Sequence, residues 1–348
     1  MRAFAKQGEV TVRREFLKQV IGLSAIWLSS CQKTQGQQTT DKAASGRLKL
    51  AVIPKGTTHE FWKSVHAGAV KAARELDVDI VWKGPLKEDD LKSQVDLVES
   101  FTAQKVSGIV LAPLNDKALV SSVVRSTQQK IPVVIFDSAL SGGNTVSFVA
   151  TDNRAAGRLA GQRMLQLLQG GPGKVVVLRY QEGSASTHER EEGFLEAVKG
   201  KPGIEVVSDN QYGGATTESA FSASESLLLA KAADKGGVQG VFAPNESTTF
   251  GMLLALEKAK LSGKVHMVGF DASEKLLKAL NSGAIDALVV QNPFNMGYLA
   301  VKSLVAHIKG QSVAPRTDTG AQIVDKANLE SAEIQELVKP DLAKWLSP

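Results

Sequence analysis

GVFAPNESTTFG, residues 240–251, decides the fold: a short apolar run gives way abruptly to five consecutive polar residues, Asn245 to Thr249. IVLAPLND at 109–116 has the same form, and PVVIFDSA at 132–139 likewise resembles HMVGFDAS at 266–273. The prolines of the first pair lie 131 residues apart, and the aspartates of the second pair lie 134 apart. Two separate segments that share nearly one offset indicate two similar halves, a repeat too long for a solenoid.

Short β-branched runs alternate with longer helical patterns from Leu48 onward. The runs lack polar alternation, which suits strands that are buried on both faces. They are LKLAVI (48–53), DIVW (79–82), GIVLAP (108–113), PVVIFD (132–137), KVVVLR (174–179), IEVVSD (204–209), GVFAPN (240–245), VHMVGFD (265–271) and ALVVQNP (287–293). With helices between such strands, the pattern predicts an α/β protein with two similar lobes, each built on a parallel sheet.

Three helix starts can be read from capping residues. Thr57 with Glu60 fits a capping box. Asn153 is expected to cap a helix that runs through Leu168, and Ser247 or Thr248 to cap a helix that reaches Leu261.

The basic character of the chain is concentrated in its first thirty residues. They hold five basic and two acidic residues, a net charge of +3, whereas the whole chain of 348 residues carries only +5. No block of five or six like charges follows. The charge therefore argues against a nucleic-acid partner.

The same thirty residues read as an export signal. The pair Arg13-Arg14 resembles the twin-arginine type of signal. The apolar stretch that follows, from Val20 to Leu28, is too short to span a bilayer. LSSC at 28–31 resembles a lipobox, so Cys31 is expected to be lipidated; a plain cleaved signal with an incidental cysteine is the alternative. Cys31 is the only cysteine, which excludes an intrachain disulfide and a cysteine-based metal site. Residues 32–46 are polar and predict a flexible tether.

Polar side chains stand where the predicted strands end. Ligands of open parallel sheets bind beyond the carboxyl ends of the strands, so these residues predict a site in a cleft between the lobes. They are Lys55, Asn115, Asp137, Asp152, Asn245, Asp271 and Gln291. For any one of Asp137, Asn245 or Asp271, helix capping is an equal alternative, so the prediction depends on their joint placement.

The motifs THEFWKSVHAGA, IPVVIFD, VATDN, THEREEGF, GVFAPNESTTFG, MVGFDAS and LVVQNP occur in this order. In this combination the chain from about Leu48 to Val324 resembles the periplasmic binding proteins for ribose, galactose and related sugars. The resemblance implies the type I fold, two α/β lobes joined by three chain crossings, here near Thr151, Gln291 and Thr317. It divides the chain into an export signal (1–30), a tether (31–46), an N-terminal lobe (47–151 plus 292–317) and a C-terminal lobe (152–291 plus 318–348).

The resemblance also implies a set of ligand-binding residues. Position by position, the pocket of the family falls on Phe61, Trp62, Asp137, Arg190, Asn245, Asp271 and Gln291. Lys55, His59 and His188 are further candidates, although an isolated surface histidine is the alternative for both histidines. Ser138 stands where the ribose binders carry arginine, and His59 and Glu60 replace their paired asparagines, which argues against ribose itself.

The function implied is capture of a monosaccharide or similar polyol outside the cytoplasm and delivery to an ABC importer. The partners would be the sugar, a membrane permease and, through lipid on Cys31, the membrane; a monomer with no cofactor or metal is expected. A receptor that feeds a membrane sensor is an alternative. An enzyme is a weaker one, because no GxGxxG, GxSxG, HExxH or P-loop motif occurs. A transcription regulator would need a DNA-binding segment before Leu48, where the leader lies.

Overall fold

The structure is a computed structural model that describes residues 46–169 and 173–347. The predicted export signal, the tether up to residue 45 and Cys31 lie outside the described residues. No helix within the described ranges is both long enough and apolar enough to cross a membrane.

The first lobe is built on a sheet of six strands, all parallel, in the order β11-β5-β4-β3-β1-β2. The strands are β1 (Lys49–Ile53), β2 (Asp79–Trp82), β3 (Gly108–Leu111), β4 (Val133–Phe136), β5 (Ser147–Ala150) and β11 (Arg316–Asp318). The helices of this lobe are α1 (Glu60–Leu76), α2 (Leu91–Ala103), α3 (Val120–Gln128) and α9 (Pro293–Ile308).

The second lobe has a sheet of the order β12-β10-β9-β8-β6-β7, parallel except for the β10–β12 pair. Its strands are β6 (Gly173–Arg179), β7 (Ile204–Tyr212), β8 (Gly240–Phe242), β9 (His266–Phe270), β10 (Ala287–Gln291) and β12 (Ala321–Asp325). Its helices are α4 (Asn153–Leu167), α5 (Ala185–Val198), α6 (Thr217–Ala230), α7 (Glu246–Lys258), α8 (Glu274–Ser282) and α10 (Ala332–Val338), with a 3₁₀ turn at Ala233–Lys235.

The two sheets share one strand order, which confirms the predicted fold class of two similar α/β lobes. Strands 5-4-3-1-2 of the first sheet correspond to strands 10-9-8-6-7 of the second, and each sheet is extended at the same edge by one late strand. All nine apolar runs form strands. The edge strands β11 and β12, and β5, did not stand out from the sequence because they are short or partly polar.

Each sheet is covered by helices on both faces, which explains the continuous apolar runs. In β1, Leu50 and Val52 pack into the cluster on the α1–α9 side, whereas Ala51 and Ile53 pack into the cluster on the α2–α3 side. β6 divides in the same way in the second lobe. Because side chains alternate between the faces of a strand, a doubly covered strand must be apolar throughout.

Glycines let one pair of helices in each lobe pack closely. A Cβ at Gly68 of α1 would lie 1.8 Å from the carbonyl oxygen of Phe294, and one at Gly297 of α9 would lie 2.0 Å from that of Val65. In the second lobe, Gly157 of α4 and Gly193 of α5 stand in the same relation, each within 2.1 Å of a backbone oxygen across the crossing. The α1–α9 and α4–α5 pairs are therefore equivalent parts of the two repeats.

The chain crosses between the lobes at Thr151–Asp152, Asn292 and Thr319–Gly320. Two of the crossings are bonded together, since the Asp152 backbone N–H donates to Asp318 Oδ1 (3.0 Å) and the Thr151 hydroxyl to the Gly320 carbonyl (3.1 Å). The hinge between the lobes is therefore narrow, and hydrogen bonds join two of its three segments.

The C-terminal segment contacts both lobes. Ile334 of α10 is buried in the core of the second lobe. The final helix α11 (Ala343–Leu346) lies instead on the first lobe, where the Arg74 guanidinium donates to the carbonyls of Lys344 (3.2 Å) and Trp345 (3.1 Å). The predicted division, which assigns all of 318–348 to the second lobe, therefore does not apply to α11. Aromatic contacts and hydrogen bonds to its carbonyls hold α11 against α1.

The three predicted helix caps were wrong by one to three residues. α1 begins after His59, which makes no side-chain cap, and the Thr57 hydroxyl donates to the Pro85 carbonyl instead. Asp152, not Asn153, caps α4. Asn245 caps α7 and forms a capping box with Thr248. In the latter two cases a preceding Asp or Asn side chain takes the cap position first.

Candidate functional site

The carboxyl ends of both sheets border a narrow cavity between the lobes. Its walls contain nine of the ten predicted binding residues, with five others. They are Lys55, His59, Phe61, Trp62, Glu88, Asp137, Tyr180, Ser186, Thr187, Arg190, Asn245, Glu246, Asp271 and Gln291. Strand ends and the helix starts that follow them thus bring distant residues together, as parallel sheets do at a switch in strand order.

His188 is the exception among the predicted binding residues. It lines a separate, open groove with Asp116 and Arg154. His188 and Arg190 both belong to α5, and side chains two positions apart project to different sides of a helix. Since Arg190 faces the cavity, His188 cannot, and its assignment to the pocket was wrong.

Aromatic rings form one wall of the cavity. The rings of Phe61 and Trp62 meet edge to face at 4.9 Å, and Trp62 packs against Phe136 in the same manner at 6.1 Å. Both Phe61 and Trp62 belong to the first turn of α1, which follows β1 closely. The wall offers an apolar surface suited to the C–H face of a ring that carries polar groups at its edges.

Asp137 and Asp271 supply carboxylates from opposite lobes. Asp137 follows β4 and lies 3.3 Å from the Lys55 ammonium. Asp271 follows β9; it accepts from the Gln291 amide at 2.7 Å and from the Glu246 backbone N–H at 3.1 Å. Burial raises the pKa of Asp271 against the attraction of Arg190 and these hydrogen bonds. Each carboxylate is therefore fixed in position at the end of a rigid strand.

Arg190 and Gln291 each present an unsatisfied polar atom in the buried site. Arg190 Nε donates to Asn153 (2.7 Å) and Nη1 to the Pro244 carbonyl (2.9 Å), while the guanidinium stacks 4.1 Å from the Phe270 ring. Burial lowers the pKa of Arg190. Arg190 Nη2 and Gln291 Oε1 are buried without a hydrogen-bond partner among the described residues.

Buried polar atoms without a hydrogen-bond partner are rare, because each one lowers the stability of the folded protein by roughly 1–3 kcal/mol. Here one unpaired atom is a donor and the other an acceptor, and both belong to residues that line the same cavity. A ligand hydroxyl can accept from the first, and another can donate to the second. The arrangement suits a ligand that carries several hydroxyl groups.

Lys55 joins the lobes rather than presenting free donors. Its ammonium donates to Ser184 (3.2 Å) and Ser186 (3.1 Å) of the second lobe and pairs with Asp137 of the first. An ammonium has three donors, so these partners use all of them. Lys55 is also only 3% exposed.

Glu88 collects three side-chain donors. It accepts from Trp62 Nε1 (2.6 Å) and the Tyr180 hydroxyl (2.6 Å), and it pairs with His59 Nδ1 at 2.8 Å. Burial alone would lower the pKa of His59, but the hydrogen bond and charge of Glu88 outweigh it and raise the pKa to about 9. Burial alone would raise the pKa of Glu88, yet the His59 bond and the charges of His59 and Lys55 lower it to about 2. The pair is therefore charged at neutral pH.

Glu246 lies opposite the start of α1. Its carboxylate accepts from the backbone N–H groups of Glu60 (3.4 Å) and Phe61 (3.3 Å), at the positive end of that helix. Glu60 in turn accepts from the backbone N–H of Glu274, at the start of α8 in the other lobe. Burial raises the pKa of Glu246 to about 7, and the charge of Asp271 contributes.

Three principal residues of the cavity were missed in the sequence. Tyr180 directly follows the KVVVLR strand and Glu246 directly follows Asn245, so the strand-end rule that selected the other residues could have found both. Glu88 lies in the loop between β2 and α2, and no local pattern marks it. Within the described part of the chain, no group of three or more His, Cys, Asp or Glu side chains is placed to hold a metal ion.

Comparison with known proteins agrees with this architecture. The ribose import binding protein of Haemophilus influenzae is 28% identical over 284 residues, which cover 82% of this chain and 94% of that protein. A carbohydrate transporter solute-binding protein from Agrobacterium radiobacter, solved with D-arabinose, is 34% identical with a TM-score of 0.79; the match covers 85% of this chain and all of that one.

A third relative is an ABC transporter solute-binding protein from Agrobacterium vitis with bound D-fucose. It is 33% identical, has a TM-score of 0.79, and the match covers 83% of this chain and 99% of that one. Residues 50–312, more than half of the chain, match the periplasmic binding protein domain. These proteins are sugar-binding components of transport systems, and the family is one of binding proteins. The chain belongs to the periplasmic binding protein family.

Proposed function

We propose that this protein captures an uncharged monosaccharide between its lobes outside the cytoplasm and delivers it to an ABC importer. The observation that carries the proposal is the pair of buried, unsatisfied atoms, Arg190 Nη2 and Gln291 Oε1. Their residues line a cavity that also contains four carboxylates and an aromatic wall. Sugar hydroxyls both donate and accept, so one molecule can satisfy both atoms.

The charges of the cavity favour a neutral ligand. Lys55 is paired with Asp137 and His59 with Glu88, so these cations have carboxylate partners within the protein. An anionic ligand would have to displace one of these carboxylates or bind Arg190 against the negative charge of Asp271, and an ammonium ligand would meet Lys55, His59 and Arg190. A hydroxyl ligand requires no such exchange.

The residues assigned to the ligand are Phe61, Trp62, Asp137, Arg190, Asn245, Asp271 and Gln291. Hydrogen bonds to charged groups contribute roughly 1.5–3 kcal/mol each before ordering costs. Three or four of them suffice for a micromolar complex, which requires about 8 kcal/mol. The relatives' sugars, ribose, D-arabinose and D-fucose, support a pentose or hexose as the ligand class.

We also propose that the protein is a lipid-anchored monomer without catalytic activity. The lipobox-like LSSC and the polar segment after it support attachment through Cys31. Replacing Cys31 by serine should move the protein from the membrane fraction to the soluble fraction. The absence of catalytic activity is tested by incubating the protein with the sugar that it binds and analysing the mixture for reaction products.

The binding proposal is tested with the purified mature chain. A thermal-shift panel of pentoses, hexoses and deoxy sugars should identify the ligand, because a ligand at a hundred times its Kd adds about 2.7 kcal/mol of stability. Calorimetry then gives the affinity, with a uronic acid and an amino acid as controls. Binding of the charged controls in preference to every neutral sugar would overturn the proposal.

A further inference from the structure

Glu88 has a role that its position in a loop of the first lobe does not suggest. It is 7% exposed and its carboxylate receives donors from three side chains. Trp62 Nε1 and His59 Nδ1 approach one oxygen, and the Tyr180 hydroxyl approaches the other. Trp62 and His59 belong to the first lobe, whereas Tyr180 comes from the end of β6 in the second.

The hydrogen-bonding capacity of Glu88 is largely used by these partners. A carboxylate offers about four acceptor positions, and three are filled at 2.6–2.8 Å. Glu88 therefore has little capacity left for a ligand, although it borders the cavity. Its effect must pass through the residues that it holds, of which Trp62 forms the aromatic wall.

The Tyr180 bond crosses the gap between the lobes. The Gln181 side-chain amide also donates to the Glu88 carbonyl at 3.0 Å, so the end of β6 is bound to Glu88 twice. Tyr180 is only 1% exposed in this arrangement. Lobe separation would break both bonds, so they belong to the closed form alone.

We propose that Glu88 is a positioning residue that couples the aromatic wall to closure: it fixes Trp62 and His59 in the first lobe and binds Tyr180 when the second lobe closes. The inference rests on the proposed function. The Tyr180–Glu88 hydrogen bond stabilises the closed state without contacting the ligand, so the ligand is held more tightly. The bond therefore slows ligand release and leaves the encounter with the open cleft unchanged.

The test compares two tyrosine variants by stopped-flow tryptophan fluorescence with the sugar that binds the wild type. Tyr180→Phe removes only the hydroxyl that reaches Glu88. Tyr298→Phe is the matched control, because its hydroxyl donates to Glu75 over the same 2.6 Å within the first lobe. We expect Tyr180→Phe to release the sugar about tenfold faster at an unchanged association rate, with Tyr298→Phe equal to wild type.

A second pair of variants separates positioning from folding. Glu88→Gln keeps the shape of the side chain, and its amide can still accept from Trp62 and donate to the Tyr180 oxygen. The Glu88→Gln variant should therefore bind the sugar more tightly than the Glu88→Ala variant. If wild type binds a sugar and Tyr180→Phe releases it at the wild-type rate, the coupling role is wrong while the proposed function stands. The role is equally wrong if Glu88→Gln and Glu88→Ala bind alike. If wild type binds no sugar, the proposed function itself fails.

Discussion

Asp137 and Asp271 occupy the same position in the two repeats, each directly after a strand and each with a left-handed backbone, at φ of 60° and 68°. Their backbone N–H groups make equivalent bonds, to the Val149 and Val289 carbonyls of the neighbouring strands. Non-glycine residues with positive φ are uncommon, and those that persist cluster at functional sites. The fold thus turns one carboxylate of each lobe into the cavity by the same local device.

The first prediction concerns these two carboxylates. Asp137→Ala and Asp271→Ala should each weaken sugar binding at least about tenfold, because each leaves buried partners unpaired. Calorimetry measures the change. Asp77→Ala is the control, since Asp77 shares the positive φ, at 53°, but lies exposed at the end of α1. Unchanged affinity in both cavity variants would remove the aspartates from the site.

The second prediction concerns contact between the lobes at Gly183. A Cβ there would lie 2.0 Å from Asn115 Nδ2 of the other lobe. The Asn115 amide is held in place, because its oxygen accepts from the backbone N–H groups of Lys117 (3.0 Å) and Ala118 (2.9 Å). Gly183→Ala should therefore hold the lobes apart and weaken binding about tenfold or more, at the scale of overpacking. Small-angle scattering with ligand should show incomplete compaction.

Gly200→Ala provides the matched control for Gly183→Ala. Gly200 has a similar φ, 73° against 81°, but nothing lies within 4 Å of its added Cβ. Any backbone strain is thus common to both variants, and only the clash differs. Equal affinity in the two variants would show that the Gly183 contact does not limit closure.

The third prediction concerns pH and His59. The pKa of His59 is raised from 6.5 to about 9, so its charged form contributes stability in full below pH 6.5 and loses it as the pH rises toward 9. The melting temperature of wild type should fall over this window more steeply than that of His59→Gln. His66→Gln is the control, because burial lowers the pKa of His66 to about 4, below the window. Parallel curves for wild type and His59→Gln would contradict the ion pair.

The fourth prediction concerns the close helix crossings. Gly68→Ala and Gly157→Ala should each destabilise the protein by about 1–3 kcal/mol, because the added methyl meets a backbone oxygen of the partner helix that cannot rotate away. Urea unfolding measures the loss, and Gly46→Ala, with nothing within 4 Å of its added Cβ and without a positive φ, is the control. A loss no greater than that of the control would mean that the helices shift without penalty.

The extent of sequence-based prediction follows from the physics of each feature. Continuous apolar runs arise from double burial, so they gave the central strands, and strand ends gave Asp137, Asn245 and Asp271 together. β11 and β12 depend on pairing with distant strands and carry little local signal. Glu88 reaches the cavity only through tertiary contacts, and His188 was misplaced because helical phase was not applied to it.

The C-terminal segment sets a mechanical limit on the lobes. Lys339–Leu342 are the only residues between α10, embedded in the second lobe, and α11, bound to Arg74 of the first. An extended residue spans at most about 3.6 Å, so the five steps from Val338 to Ala343 reach roughly 18 Å. While both helices stay in place, the distance between the lobes on this side cannot exceed that length. The segment therefore limits how far the cleft can open.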